Sequence, residues 1–493
     1  MSINDREIIG DTPDFSALAD EDGNEIIKDL TSRVNSISVQ EREAGLHDIH
    51  GIGGIDDKST GEEQVLVNKM RLLLSERLHW RSSSAFRMAD AESSAYTTDS
   101  SFLLMFLRCE NYNIDAATNR LFVFFKQKLR LFGPNKIGKK MITLADLSPD
   151  DMKSYSAGFF QLLPHRDHVG RAQFVNLPHY TTWDQRENVV SRFVVEWTGS
   201  GRTADSYSIV GAHSKLRMIF HLCMAALMDE ETQKKGAITV VHSLLSESSE
   251  PRNPKGYDPV LIWESIHMLQ KAIPLRFVGT HICTDPSSFS GKFFSSMARF
   301  VGDAGIVRIR FHQVSFHEVN ERLSTFGINS ILLAVSQSGE KKTEKHRELM
   351  KVIKSIEVAK LLTPEKLTVL VPSATDVLLG RGKPIQNHAG NIRLGLIAES
   401  QLEEYDEIAN RLDKTKLAEI TMAKMKNAGV RFLSRDDNGF WELAAERLAR
   451  ERVSSTFRTV RDRLKVSRRS TEEKADSTVA RKRSLEKLEE QSD

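Results

Sequence analysis

The sequence predicts an α/β fold: a mixed, mostly parallel sheet with covering helices and a helical N-terminal subdomain, then a small, mainly α (α+β) C-terminal domain. Three observations carry this. Between residues 141 and 335, short β-branched runs alternate with helical stripes, the order that yields a parallel sheet covered by helices. Dense helical stripes fill residues 63–140, and a separate set lies beyond Pro364 and Pro372. Residues 1–62 hold fifteen acidic against five basic side chains, a net of −10, with little periodicity. That composition predicts a disordered acidic N-terminus with at most a transient helix near 25–34.

Taken in order, Val65, Val67, Met70, Leu72, Leu73 and Leu78 give a helix between residues 63 and 80. Residues 100–109 are denser in apolar side chains, and Asp115 is the expected N-cap of a helix carrying Leu121, Phe122, Phe124, Phe125, Leu129 and Leu131. Residues 126–140 hold six basic side chains and no acid. They read either as a solvated helix end or as attraction to anionic lipid headgroups, with Lys136, Lys139 and Lys140 as the membrane-docking set. Residues 158–163 and 171–176 flank a polar turn and predict a hairpin. His165-Arg-Asp167 is not a kinase catalytic loop, because Ala172 stands where the asparagine is required. His165 and His168 have no third ligand in reach of the pattern, so no metal site is assigned. Residues 216–228 and 261–272 read as buried helices, and 236–241 as a central strand. Phe277, Val278 and Ile282 form a strand ended by Asp285-Pro286. Phe289, Phe293, Met297, Phe300 and Val301 then make one helical stripe, before Val307, Ile309 and Phe311 alternate with Arg308, Arg310 and His312. From pattern alone this stripe is either core or a lid over an apolar ligand.

The stretch Phe-Leu-Leu-Met-Phe-Leu-Arg-Cys109, followed by Asn113-Ile-Asp-Ala-Ala117, resembles the helical subdomain of the CRAL-TRIO lipid-binding family. Pro274-Leu-Arg276, Thr284-Asp-Pro286, the 289–301 helix and Arg308 resemble that family's pocket strand, turn, gating helix and basic strand. The resemblance covers residues 98–335. It implies a lipid pocket or gate of Phe277, Ile282, Phe289, Phe293, Met297, Phe300 and Val301, with Arg276 and Arg308 as headgroup candidates. Leu275 stands where phosphatidylinositol-binding members carry Glu, and Arg308 where they carry Lys, so headgroup specificity differs.

Residues 336–373 read as a linker with one helix. The domain at 374–468 opens Asp376-Val-Leu-Leu-Gly-Arg-Gly-Lys-Pro-Ile-Gln-Asn-His-Ala-Gly-Asn391. This is not a phosphate loop, since Val377 and Pro384 occupy positions requiring Gly and Ser or Thr. It resembles an uncharacterised domain abundant in diatom proteins, with later landmarks at Tyr405, Arg431-Phe-Leu433, Trp441 and Phe457-Arg458. Helices are expected over 392–412 and 414–425, a hairpin about 431–441, and a final helix striped by Ala445, Leu448, Val453, Phe457, Val460 and Leu464. In the opening loop, Arg381, Lys383, Asn387 and His388 are candidates. Either the loop is a structural plug, with the Asn387 amide satisfying backbone, or it faces a partner. Residues 447–469 carry nine basic and two acidic side chains. A basic face of Arg447, Arg450, Arg458 and Arg461 is either solvated or set against phosphates or a protein or membrane surface. Residues 469–493 read as a charged tail.

With 493 residues, 28% charged and 40% hydrophobic, the chain can build several sizeable cores. Three distant cysteines exclude a disulfide framework. The absence of a signal core and of a long apolar run leads to a cytoplasmic expectation, with a nuclear alternative from Arg481-Lys-Arg483. No nucleophile–base pair, metal set or cofactor motif emerges. The expectation is therefore a non-enzymatic lipid binder with a C-terminal interaction module. The alternative is a regulatory nucleic-acid binder whose lipid-like domain is a degenerate scaffold.

Overall fold

The computed structural model describes residues 23–52, 55, 58–79, 83–178, 206–244, 259–284, 294–295, 297–315, 317–328, 335, 341–362, 368–369, 372–436 and 441–465. The chain divides into two units, Met1–Lys366 and Leu367–Asp493.

The first unit is mixed α/β, built on a sheet in the order β1-β2-β3-β4-β5. Its strands are β1 (Phe160–Leu162), β2 (Ala172–Asn176), β3 (Ala237–His242), β4 (Phe277–Thr284) and β5 (Ile309–Gln313). β1 and β2 form the expected antiparallel hairpin, and the other pairings are parallel. Parallel neighbours need crossovers, and the Ser206–Ala226 and Pro259–Lys271 helices lie within them. β3 is buried along its whole length, which is why its sequence is a continuous β-branched run without alternation.

Both faces of the sheet are covered. On one, Val175, Ile238, Val240, Val278 and Cys283 join Val314, Val319 and Leu323. On the other, Val241, Trp263, Ile282, Phe294 and Met297 form a second cluster. Beside the sheet lies an aromatic helical layer: Thr60–Glu76, Ser84–Glu92, Ser100–Cys109 and Ile114–Phe132. Ser59 and Glu62 form a capping box at the first of these. Phe102, Phe106, Phe122, Phe124 and Phe125 are all essentially buried. The N-cap of Ile114–Phe132 is Asn113, whose side chain accepts from the Ala116 amide at 3.0 Å. Asp115, expected there, sits in the first turn and pairs with Arg77.

The acidic N-terminal stretch divides. Residues 1–22 lie outside the described residues, while Gly23–Ser36 and Val39–His50 are helices. The transient helix expected near 25–34 lies within the first of these, and the disorder expected over the rest of 1–62 does not extend to the second. Ile37 packs with Ile306 and Val307, and Ile49 is fully buried. Gly45 is a close approach: a Cβ there would stand 2.6 Å from Val307 Cγ2. The Glu344–Leu362 helix, expected within a linker, packs into this unit through Leu349, Ile353 and Ile356.

The second unit has a four-stranded sheet in the order β6-β9-β8-β7: Thr368–Val369, Trp441–Leu443, Phe432–Arg435 and Val377–Leu378. The predicted hairpin is β8–β9. The helix expected over 392–412 is broken. Ala389–Ser400 and Leu402–Glu407 precede Arg411–Asn427, whose N-cap Asn410 accepts from the Leu412 amide. In the final helix, 446–465, Ala449, Val453, Phe457 and Val460 are buried; Leu448, expected in the stripe, is exposed. No described helix is long and apolar enough to cross a membrane.

Candidate functional site

β5 ends the sheet order, so only β4 is paired with it among the described strands. Along this edge runs a half-open groove of about 490 Å³. Its apolar lining includes Leu30 and Val34 from Gly23–Ser36, Leu46 from Val39–His50, Ala298, and Ile309 and Phe311 from β5. Arg42 and Arg310 also line it. The Gly23–Ser36 helix is held at the groove by Arg33, which donates to the Arg299 and Val301 carbonyls at 2.8 and 2.6 Å and pairs with Asp303. Asp29 pairs with Arg299 in the other direction.

The predicted pocket residues divide differently. Phe289 and Phe293 lie outside the described residues. Ile282 and Met297 are buried in one cluster, with Phe300 packed against it, and Val301 is buried. Phe277 is half-buried in β4. The described part of the 289–301 segment thus packs onto the sheet; the groove lies beside it, touched by Ser295 and Ala298. Ile309 and Phe311 join this cluster, while His312 points to the opposite, also covered, face. The predicted alternation holds, but neither face is simply solvated.

The two headgroup candidates have other partners. Arg308 grips Asp48 at 2.8 and 2.6 Å. Arg276 donates to Asn111 and to the Lys234 carbonyl, and burial lowers its pKa. The cations at the groove are instead Arg42 and Arg310, which the pattern did not single out. Of the docking lysines, Lys139 pairs with Asp146, Lys140 with Asp99 at 2.9 Å, and Lys136 donates to the Asp146 carbonyl. Lys128 in the same basic run is buried, its ammonium over the Tyr96 ring and bonded to the Lys139 carbonyl; burial pulls its pKa down to about 7.

Two buried polar chains were invisible to spacing. Tyr155 Oη, His221 Nδ1, His221 Nε2 and Glu357 Oε1 line up with contacts of 2.6 and 2.7 Å. Glu357 also accepts from the Leu144 amide at 2.9 Å. Tyr155 is 1% exposed, and the hydrogen bonds through Glu357 tie Glu344–Leu362 into the unit. His281 Nδ1 and His312 Nε2 meet at 2.9 Å across β4 and β5, rings parallel, with Phe326 edge-on to both. Burial, then His312, pushes His281 down to about 3. Burial, then Arg322, holds His312 at about 4. Among the described residues, no cluster of three or more His, Cys, Asp or Glu side chains is placed to hold a metal ion.

In the second unit, the opening loop is organised by Asp376 and Asn391. Asp376 is fully buried, accepts from the Ser373 amide and takes Arg431 in a two-pronged pair at 2.9 and 2.7 Å. Asn391 accepts from the Leu378 amide and donates to the Leu378 and Ile385 carbonyls. Backbone satisfaction expected of Asn387 falls to Asn391; Asn387 is exposed at the end of the Lys383–Gln386 turn. Gly390 is obligatory, since a Cβ there would stand 2.0 Å from the Asp376 carbonyl oxygen. His388 caps the next helix and accepts from the Gly390 amide, while Arg381 and Lys383 are exposed. The basic face is largely matched within the unit. Arg450 pairs with Glu419, Arg461 with Asp406 and Asp462, and Arg447 with Glu451. Arg458 folds back toward the Ser454 carbonyl.

Residues 376–459 match the family described as a domain of unknown function (DUF6824). No match to the CRAL-TRIO family is found. No curated protein matches the chain.

Proposed function

We propose that the first unit is a non-enzymatic binder of a hydrophobic, lipid-like ligand and that the second is an interaction module. The observation that carries this reading is the groove beside β5. Its volume of about 490 Å³ lies within the range of small-molecule pockets, roughly 300–1,000 Å³. Its walls are mainly aliphatic and aromatic, and exposed apolar surface of this kind marks binding sites. Support also comes from the CRAL-TRIO-like order of motifs over residues 98–335, with Arg108 of the Phe-Leu-Arg-Cys stretch anchored by Glu63 at 2.9 Å in the helical layer. The nucleic-acid reading loses ground to the ion pairs that occupy the basic face, because a cation already matched by a carboxylate offers a phosphate less.

The test is direct. The full chain, purified and examined by native mass spectrometry before and after solvent extraction, is expected to carry or take up a lipid-sized mass. A chain that carries no lipid and extracts none from mixed liposomes is incompatible with the proposal.

A further inference from the structure

We infer that the β5-edge groove takes a single-chain anionic amphiphile of the fatty-acid class, its carboxylate held by Arg42 and Arg310 and its chain laid along Leu30, Val34, Ile309 and Phe311. The inference rests on the lipid reading and narrows it to a ligand class and a head site.

Charge matching is the first step. Among the described residues, three carboxylates on the elements that line the groove each already have an arginine: Asp29 with Arg299 at 3.0 Å, Asp303 with Arg33 at 2.7 Å, and Asp48 with Arg308 at 2.6 Å. Arg42 and Arg310 are the lining cations left over. Among the described residues, Arg42 has no side-chain partner. Arg310 uses only Nη1, on the Val307 and Ile309 carbonyls at 3.3 and 2.8 Å. Arg310 is half-buried, and its Nε and Nη2 are the donors left for a ligand; a guanidinium pairs with a carboxylate in fork geometry.

Chemistry then selects the ligand. A small hydrophilic anion would leave the aliphatic wall wet. A neutral lipid would desolvate two guanidiniums without an acceptor, which is costly. Size selects further. A methylene is close to a water's share of liquid volume, about 30 Å³, so about 490 Å³ admits on the order of sixteen such groups. That is room for one acyl chain laid along the wall.

The test uses the full chain and the fluorescent fatty acid cis-parinaric acid, displaced in turn by oleate, oleyl alcohol and dioleoylphosphatidylcholine. Oleate is expected to displace the probe at least about tenfold more tightly than the alcohol, the scale of a charge-assisted hydrogen bond. The double variant Arg42→Gln/Arg310→Gln should lose that preference yet still bind the alcohol, with an unchanged circular-dichroism melt. Thr31→Trp, which fills the groove from an exposed helical position, should abolish binding of both. Equal binding of acid and alcohol, or a double variant that keeps the preference, overturns the head assignment while the lipid reading stands. Oleate binding undiminished in Thr31→Trp puts the lipid elsewhere and also overturns the inference. Failure of every probe to bind overturns both. If oleate binds only after removal of residues 1–22, which carry seven acidic side chains and one arginine, the groove belongs to that segment and the inference falls.

Discussion

Asn387 and Asn391 lie four positions apart in one motif and have opposite roles. Asn391 is 7% exposed, and its amide makes three hydrogen bonds to backbone at Leu378 and Ile385. Removing it strands buried donors and acceptors of β7 and the following turn. Asn391→Ala should destabilise the second unit by about 1–3 kcal/mol, the cost of leaving such groups unpaired. Asn387 is exposed, and Asn387→Ala should stay within about 0.5 kcal/mol. Chemical denaturation of the two variants separates them; a neutral Asn391→Ala would contradict the hydrogen-bond assignment. Spacing alone could not choose between them. Both are short amides in a glycine-rich loop, and the choice depends on Gly390 letting the Ala389–Ser400 helix approach Asp376.

At the scale of elements, two packings carry consequences. The first is the β4–β5 histidine pair. Both side chains are buried and have folded-state pKa values below the ordinary 6.5, His281 at about 3 and His312 at about 4. Below 6.5 the unfolded chain therefore binds protons that the folded chain does not, and stability falls as pH drops from about 6.5 toward 3–4. His50 stacks on Phe326, which caps the pair, so acid should loosen the Val39–His50 helix first. The double variant His281→Phe/His312→Leu should flatten the acid limb of a melting-temperature profile between pH 6.5 and 4, with little change in its alkaline limb. An unchanged acid limb would assign that loss to other groups, among them His267 and His346, whose pKa values burial also lowers. The second packing is Gly45 against Val307, where a side chain would meet Val307 Cγ2 at 2.6 Å. Gly45→Val should lift Val39–His50 from the sheet and raise amide exchange across residues 39–50 while β2–β4 stay protected.

For the whole molecule, what the sequence disclosed follows the range of the interactions involved. β3, the β1–β2 hairpin and the helices at Ser100–Cys109 and Ile114–Phe132 were legible because their patterns are local. The acidic N-terminal helices were legible only as a transient helix near 25–34, because what fixes them lies far along the chain: Arg33 reaches Asp303, and Arg299 reaches Asp29. Composition sees those charges only as solvation. The groove was missed for the same reason, since helix residues 30–46 and strand residues 309–313 meet there. β6 and β7, two residues each, are too short to show a period. The second unit has the opposite character. Its core of Val377, Leu394, Ala398, Tyr405, Leu417, Met422, Phe432, Val453 and Phe457 is drawn wholly from its own residues. Tyr405 stacks on Phe457 with ring centroids 4.8 Å apart, joining the first half of the matched domain to its end. A unit with its own core folds alone. A fragment spanning residues 367–493 should therefore unfold in one cooperative transition, with the coincidence of fluorescence and far-ultraviolet dichroism that two-state behaviour requires. Ring-current-shifted methyl signals in its proton spectrum would mark the packed Tyr405–Phe457 core. A fragment with helical dichroism but no such signals and no sharp transition would mean that the second unit depends on the rest of the chain to order its core.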